Sequence, residues 1–381
     1  MNKRYLELDS LRGLAALFVL FYHCLRIFPE FDAENPIQSN NFLVNILNNT
    51  PLRVIWSGHE SVILFFILSG FVLSLPYYKN KKIEYKTYLV KRSFRIYIPY
   101  FVAMIFAITA TLMLSKNGIS MYSDWFNRIW TYDTSFLDIL NHILFLGYYN
   151  SNQYNTVIWS LVHEMRISII FPFLMVFVLR FNWKTNIIIC LLLSLVSFVF
   201  TKTFMPIYNT DIAKTVHYMS SFMIGALLAK HIEFLVGFYG KMSKSKKIIA
   251  FLIAIISYTY QGLFPHINLI HKFLINEYAI TAGSSLFIII ALSSESFSSF
   301  LNLKPILFLG KISYSLYLYH TIILFSLIYT FNDVLPIYII LLSTIVISVI
   351  VASIAYYLVE KPSMKLGRKL KNKQEEQKKI A

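Results

Sequence analysis

Charge is scarce in this sequence. Of 381 residues, 14% are charged and 57% are apolar, whereas a soluble domain carries roughly a quarter charged residues. Cysteine is nearly absent. Cys24 and Cys190 both lie in apolar segments, with no cysteine or histidine neighbours at metal-ligand spacing. That excludes a disulfide framework and gives no metal signature. No internal repeat recurs at a fixed period, and the short alternating segments of a membrane barrel are missing. The net charge of +16 raises the question of nucleic acid, but no basic, aromatic-interleaved soluble domain exists to bind one. A small-residue cleavage site is also lacking after the apolar run Leu14 to Leu25, where Arg26, Ile27, Phe28 and Pro29 follow. The run therefore reads as an uncleaved first span, not a signal peptide.

What the chain does contain is repeated apolar runs of membrane-spanning length. Ten spans are expected, at 9–27, 58–76, 96–115, 157–180, 185–202, 214–231, 247–264, 273–292, 306–330 and 334–359. Backbone polar groups in lipid must bond within their own segment, so the fold class is all-α, a polytopic transmembrane bundle. With the N-terminus inside, the inner segments hold twenty-six of the thirty-five Lys and Arg. This asymmetry leads us to expect both termini on the cytoplasmic side of a multi-pass membrane protein. The domain reading is one transmembrane domain over 1–360 and a charged tail over 361–381. Basic residues flanking the spans face anionic lipid headgroups, the segment 79–95 among them. The loop at 116–156 is long enough to expect a task, and Phe136 to Tyr149 reads as an interfacial or re-entrant helix. Proline at Pro362 is expected to stop the last helix.

Ionisable groups at membrane depth are costly and are usually retained for a use. Arg12 and His23 lie eleven residues apart, about three helical turns, so they share one face roughly 16 Å apart along the axis. A snorkelling arginine and an interhelical histidine bond are the structural alternative. In the fourth span, Ser160 and Glu164 are four apart and share a face. His163 lies one turn from Ser160, and Arg166 follows two residues after Glu164. A structural ion pair is the alternative there. In the ninth span Ser313, Tyr317 and His320 form one polar stripe. Ser69-Gly70 in the second span allows close approach of a helix or a ligand. Glu360 reads as structural.

Taken in order, these residues resemble the acyltransferase-3 family of membrane acyltransferases. Leu11-Arg12-Gly13-Leu14-Ala15 with His23 resembles its first-helix signature. Phe65-Phe66-Ile67-Leu68-Ser69-Gly70-Phe71 is similar to its second-helix motif, and Arg92-Ser93-Phe94-Arg95-Ile96-Tyr97-Ile98-Pro99 to its basic motif. Trp159-Ser160-Leu161 with Glu164, then Ser313-Tyr314, Tyr317 and His320, then Glu360-Lys361-Pro362, follow its later motifs. Departures are Ile167 and Ser168, where the family often has aromatics, and the lead-in Glu60-Ser61-Val62-Ile63.

The resemblance implies transfer of an acyl group, commonly acetyl, from cytoplasmic acyl-CoA to a hydroxyl of a cell-surface glycan or glycoside. It implies that Arg12 and His23 are essential, and that Trp159, Ser160, Ser313, Tyr317 and His320 contribute to substrate binding. Some relatives carry a fused extracellular esterase-like domain. None follows the tail here, so a stand-alone member is expected, with any relay running through a separate protein. Thioester chemistry needs a base and a stabiliser of the oxyanion. His23 is assigned as base or transient acyl carrier, and Glu164 as a group that orients an imidazole or binds the acceptor. The CoA phosphates call for cations, and Arg12, Lys91, Arg92 and Arg95 are the expected set. The competing class is a transporter or flippase of a glycan or lipid. Such proteins often show matched broken helices, which this sequence does not. The oligomeric state is not legible in the sequence.

Overall fold

The computed structural model describes residues 5–32, 39–79, 83–115, 118–130, 134–264 and 270–369. The basic residues Lys81 and Lys82, and the tail beyond Lys369, lie outside the described residues. Among the described residues there is no strand. In chain order the helices are α1 (Leu6–Arg26), α2 (Phe42–Asn49), α3 (Gly58–Tyr78), α4 (Tyr85–Leu114), α5 (Asp124–Asn127) and α6 (Phe136–Leu144). There follow α7 (Ile158–Arg180), α8 (Trp183–Phe204), α9 (Ile212–Gly240), α10 (Lys244–Tyr258) and α11 (Tyr260–Leu263). The last are α12 (Asn276–Ser293), α13 (Glu295–Leu301), α14 (Lys304–Phe331) and α15 (Ile337–Ala355).

Nine helical stretches among the described residues are long and apolar enough to cross a membrane. They coincide with nine of the ten expected spans. The remaining range, 247–264, holds α10, which is 15 residues long, and α11 after a break at Thr259. The Thr259 hydroxyl bonds back to the carbonyl of Ile255 at 2.8 Å. An α-helix of that length covers only about 22 Å. Together α10 and α11 run alongside α12.

Two further differences have local causes. The third span begins eleven residues earlier than expected, at Tyr85, because the basic stretch is itself helical and extends α4 downward. Arg92 and Arg95 consequently turn into a cavity instead of lying against lipid headgroups. Pro362 does not end the last helix. A π-helical turn over Tyr356–Glu360 precedes it, and helix continues to Lys369. The widened turn takes up the missing N–H and the ring clash that proline brings to a regular helix.

Helix α14 is the most buried span, while α8 and α15 bury the smallest share of theirs. The most extensive packing is α3 on α9 and α1 on α14. Both contacts bring backbones together at glycine. A Cβ on Gly70 would overlap the carbonyl of Phe222, and one on Gly225 would overlap that of Ile67. A Cβ on Gly13 would overlap the backbone of Gly310. Lipid gives little drive to bury side chains between helices, so close van der Waals contact holds such pairs. Gly70 is thus a packing residue, and its neighbour Ser69 remains free to face the interior.

The two long loops fold back over one end of the bundle. In the first, the Trp56 indole donates to the carbonyl of Leu47 at 2.9 Å and stacks on Tyr22 at 6.0 Å. In the second, Trp125 of α5 lies 5.4 Å from the His23 ring. Asn155 then bonds the carbonyl of Leu318 in α14 at 2.9 Å and the Thr321 hydroxyl at 2.8 Å. The apolar stretch Phe136 to Tyr149 forms α6, nine residues long with a capping box from Ser135 and Asp138. That box satisfies the first free N–H groups of a helix too short to span.

Candidate active site

Two cavities enter the bundle from opposite ends of α1. The first is bordered by Arg12, Ser69, Arg92, Arg95, Ser160, Glu164, Ser313, Tyr314 and Tyr317 among others. Its polar residues come from five spans, α1, α3, α4, α7 and α14. Arg12 sits at the second turn of α1, and Arg92 and Arg95 lie three apart on α4. Ser160 and Glu164 share one face of α7, as their spacing requires. Arg12 lies 3.9 Å from Asp9. Arg92 donates to Glu164 Oε1 at 2.9 Å and to the Ser168 hydroxyl at 2.7 Å. The Ser69 hydroxyl donates to the same Glu164 oxygen at 3.1 Å. Ser168, one of the two departures from the family pattern, therefore helps hold the arginine. Three guanidinium groups face one carboxylate here, an arrangement suited to an anion carrying several oxygens.

The second cavity is bordered by His23, Arg26, His59, Trp125, Trp159, Lys214, His217, Glu277 and Tyr317 among others. Val62 and Tyr317 border both cavities. Tyr317 is the partition. Its hydroxyl contacts the Ser160 hydroxyl at 2.7 Å and donates to the carbonyl of Val157 at 3.2 Å. The edge of Phe65 meets its ring at 5.6 Å.

His23 is buried and borders the second cavity, beside His320 of α14. Their rings are 5.0 Å apart. The hydrogen bonds fix the proton positions. His320 Nδ1 lies 3.0 Å from the carbonyl of Leu316, so it donates there. His320 Nε2 is then an acceptor. His23 Nδ1 lies 3.0 Å from that Nε2 and 3.0 Å from the carbonyl of Val19. Both are acceptors, so His23 Nδ1 carries the hydrogen and shares it. In a neutral ring this leaves Nε2 of His23 with a lone pair, the state a general base requires. The tautomer follows from the partners of the other nitrogen, as in the helix-held imidazoles of many enzyme sites.

The sequence-predicted residues thus fall into two groups. Arg12, Arg92, Arg95, Ser160, Glu164, Ser313 and Tyr317 border the first cavity. His23, Trp159 and, again, Tyr317 border the second. Lys91 borders neither cavity; its Cα lies about one van der Waals contact from the Cβ position of Gly367. Glu164 does not meet His23. It pairs with Arg92, and the group that orients the imidazole is His320, expected as a substrate contact. His163 is pinned by the carbonyl of Asn209 at 2.9 Å and by Thr215 at 2.8 Å. Arg166 ties down loop carbonyls, including Gly147 at 2.6 Å. Both are structural. Glu360 accepts from the buried Ser315 hydroxyl at 2.7 Å and joins α14 to the last helix.

Three residues of the second cavity escaped the sequence reading: His59, His217 and Glu277. Their signal was present. Glu277 is an acid inside the expected span 273–292, and such an acid asks for a partner. Neither histidine is near it in sequence, so only folding joins them.

No solved structure matches this chain. Relatives do. O-acetyltransferase OatA of Staphylococcus aureus (strain NCTC 8325 / PS 47) is 27% identical over 397 residues, covering 97% of this chain and 58% of that protein. A putative O-acetyltransferase, SACOL0978 of Staphylococcus aureus (strain COL), is 26% identical over 388 residues, covering 92% of this chain and 59% of that protein. The chain therefore spans somewhat over half the length of these relatives. Residues 5–357 match the family model described as an acyltransferase domain. With nearly its whole length matched, and with the family's motifs gathered around two facing cavities, the chain belongs to the acyltransferase-3 family.

Proposed function

We propose that this protein moves an acyl group, acetyl, from cytoplasmic acyl-CoA to a hydroxyl of a cell-surface glycan or glycoside. The observation that carries the reading is the pairing of the two cavities. One is lined with arginine and the other holds an imidazole with a free lone pair. They approach each other at Val62 and Tyr317. The excess of Lys and Arg in the segments on the N-terminal side supports placing the arginine cavity at the cytoplasm. Acyl-CoA phosphates would be held by Arg12, Arg92 and Arg95, and the pantetheine arm would pass Tyr317. The acceptor would enter from the other end, in the cell membrane's outer face. No nucleic acid has a place in this scheme, and lipid surrounds the bundle.

The chemistry is a single displacement at the thioester carbonyl. His23 Nε2 takes the proton of the acceptor hydroxyl as its oxygen bonds to that carbon. The C–S bond breaks, and the imidazolium returns the proton to the leaving thiolate. His320 keeps the ring in the required tautomer. A route through an acyl-imidazole uses the same atom, since Nε2 would then be the nucleophile.

The test is a direct one. Purified protein incubated with labelled acetyl-CoA should consume the thioester and release free CoA when acceptor is present. A transporter or flippase would leave the thioester intact, and that result would remove the enzymatic reading.

A further inference from the structure

The second cavity contains a charge cluster that the transfer step above does not use. Glu277 of α12 lies between two histidines from different helices. His59, at the start of α3, donates from Nε2 to Glu277 Oε1 at 2.5 Å. His217, in the second turn of α9, places its Nε2 3.6 Å from Oε2. Three helices thus converge on one carboxylate at the wall of the cavity. An ionisable group there is expensive unless it is paired, and pairing two imidazoles to one acid costs three polar residues in a lipid-embedded bundle. Interior packing alone would be served by apolar side chains of the same volume.

The cluster is not self-contained. With Nε2 of His217 turned to the carboxylate, its other nitrogen, Nδ1, is buried and has no hydrogen-bond partner. His217 is only 4% exposed. A buried polar atom in that state costs free energy until something bonds to it. Around it the lining is aromatic and amide-rich, with two cations, Arg26 and Lys214, the latter donating to Asn209 Oδ1 at 2.8 Å. Trp159 stacks on His59 with ring centres 6.4 Å apart, and Asn152, Asn209 and Gln261 border the same space. The contrast with the first cavity is chemical. That one offers a group of guanidiniums, which suits phosphate. This one offers an aromatic face, amides, and imidazole nitrogens fixed by a carboxylate, which suits hydroxyls on a flat, apolar-faced ring.

Resting on the acyl-transfer reading, we propose that His59, His217 and Glu277 form the acceptor site and bind adjacent hydroxyls of an uncharged sugar ring lying against Trp159. His23, which borders the same cavity, then meets the one hydroxyl that is directed towards it. Glu277 is a positioning residue. It holds His59 by a hydrogen bond at Nε2 and faces His217 Nε2 at ion-pair distance, so that the remaining nitrogens of both rings can accept from the sugar.

The experiment uses the full chain in host membranes that carry the host's own envelope glycan, with labelled acetyl-CoA as donor. Two quantities are read: label fixed in glycan, and the donor concentration giving half-maximal transfer. Glu277→Gln keeps the shape and removes the charge that orients the imidazoles. It should lower fixed label about tenfold to a hundredfold, the scale of a hydrogen bond to a charged group. Donor half-saturation should stay within about twofold, because the first cavity is untouched. His217→Gln should act in the same direction, and it covers the case in which Glu277→Gln fails to accumulate. Unchanged label in both variants, or a donor half-saturation that shifts along with the rate, would overturn the acceptor assignment. Wild-type membranes that fix no label would instead sink the acyl-transfer reading itself, so the two failures are distinguishable.

Discussion

Replacing His23 by alanine should lower acyl transfer by about a hundredfold to ten-thousandfold, the contribution usual for a positioned general base. The reason is local. Of the His23–His320 pair, Nε2 of His23 is the nitrogen that the surrounding bonds leave with an uncommitted lone pair. Its Nδ1 is committed to Val19 and His320. His320 is no substitute, because its own Nε2 accepts from His23 and its Nδ1 is spent on Leu316. The substitution removes a ring from a buried position, so protein level in membranes must be measured beside activity. His23→Gln is the companion variant. It fills more of the space but has no basic nitrogen, and it should be as inactive as alanine. Full activity in either variant, at wild-type abundance, would remove the base assignment. A stable acylated wild-type protein, trapped with donor alone, would favour the acyl-carrier form of the same residue.

Arg92→Ala should have the second large effect, and on two separable quantities. Arg92 is buried and Glu164 partly so, with side chains 8% and 17% exposed. Removing one partner leaves the other charge uncompensated, which typically costs about 3–5 kcal/mol. On the proposed donor site the same change would remove a phosphate contact, so the donor Michaelis constant should rise more than turnover falls. The double variant Arg92→Ala with Glu164→Gln separates the two. Neutralising the stranded acid should restore most of the thermal stability, while donor binding stays weak. Arg95→Ala, which breaks no such pair, should weaken donor binding with little loss of stability. Thermal unfolding in detergent and initial rates against donor concentration provide both readings. A double variant that recovers donor affinity would show that the pair is structural and that phosphate binds elsewhere.

Much of the architecture was readable because membranes impose few solutions. Apolar length alone placed nine spans that coincide with long helices among the described residues. The misjudged places are those where helix geometry departs from the regular form. Thr259 interrupts the range expected as the seventh span, and a π turn carries the last helix past Pro362. A hydropathy pattern contains no signal for either. The site divides in the same way. Spacing along one helix put Ser160 with Glu164, and both border the first cavity, whereas Arg12 and His23, expected on one face of α1, border different cavities. Spacing says nothing about contacts between helices. That His23 meets His320 instead of Glu164, and that Glu277 gathers His59 and His217, depends on how α1, α3, α9, α12 and α14 cross. The glycine contacts at Gly13, Gly70 and Gly225 bring α1 against α14 and α3 against α9, but a glycine in a sequence does not name its partner.

The account depends on two substrates meeting at one imidazole through two mouths. The most direct measurement is a structure of the protein with a non-hydrolysable thioether analogue of acetyl-CoA. It should show phosphate density against Arg12, Arg92 and Arg95, and the acyl carbon beyond Tyr317, within hydrogen-bond reach of His23 Nε2 by way of an acceptor oxygen. An analogue seated away from the arginines, or an acyl end directed to the lipid with His23 closed off, would contradict it.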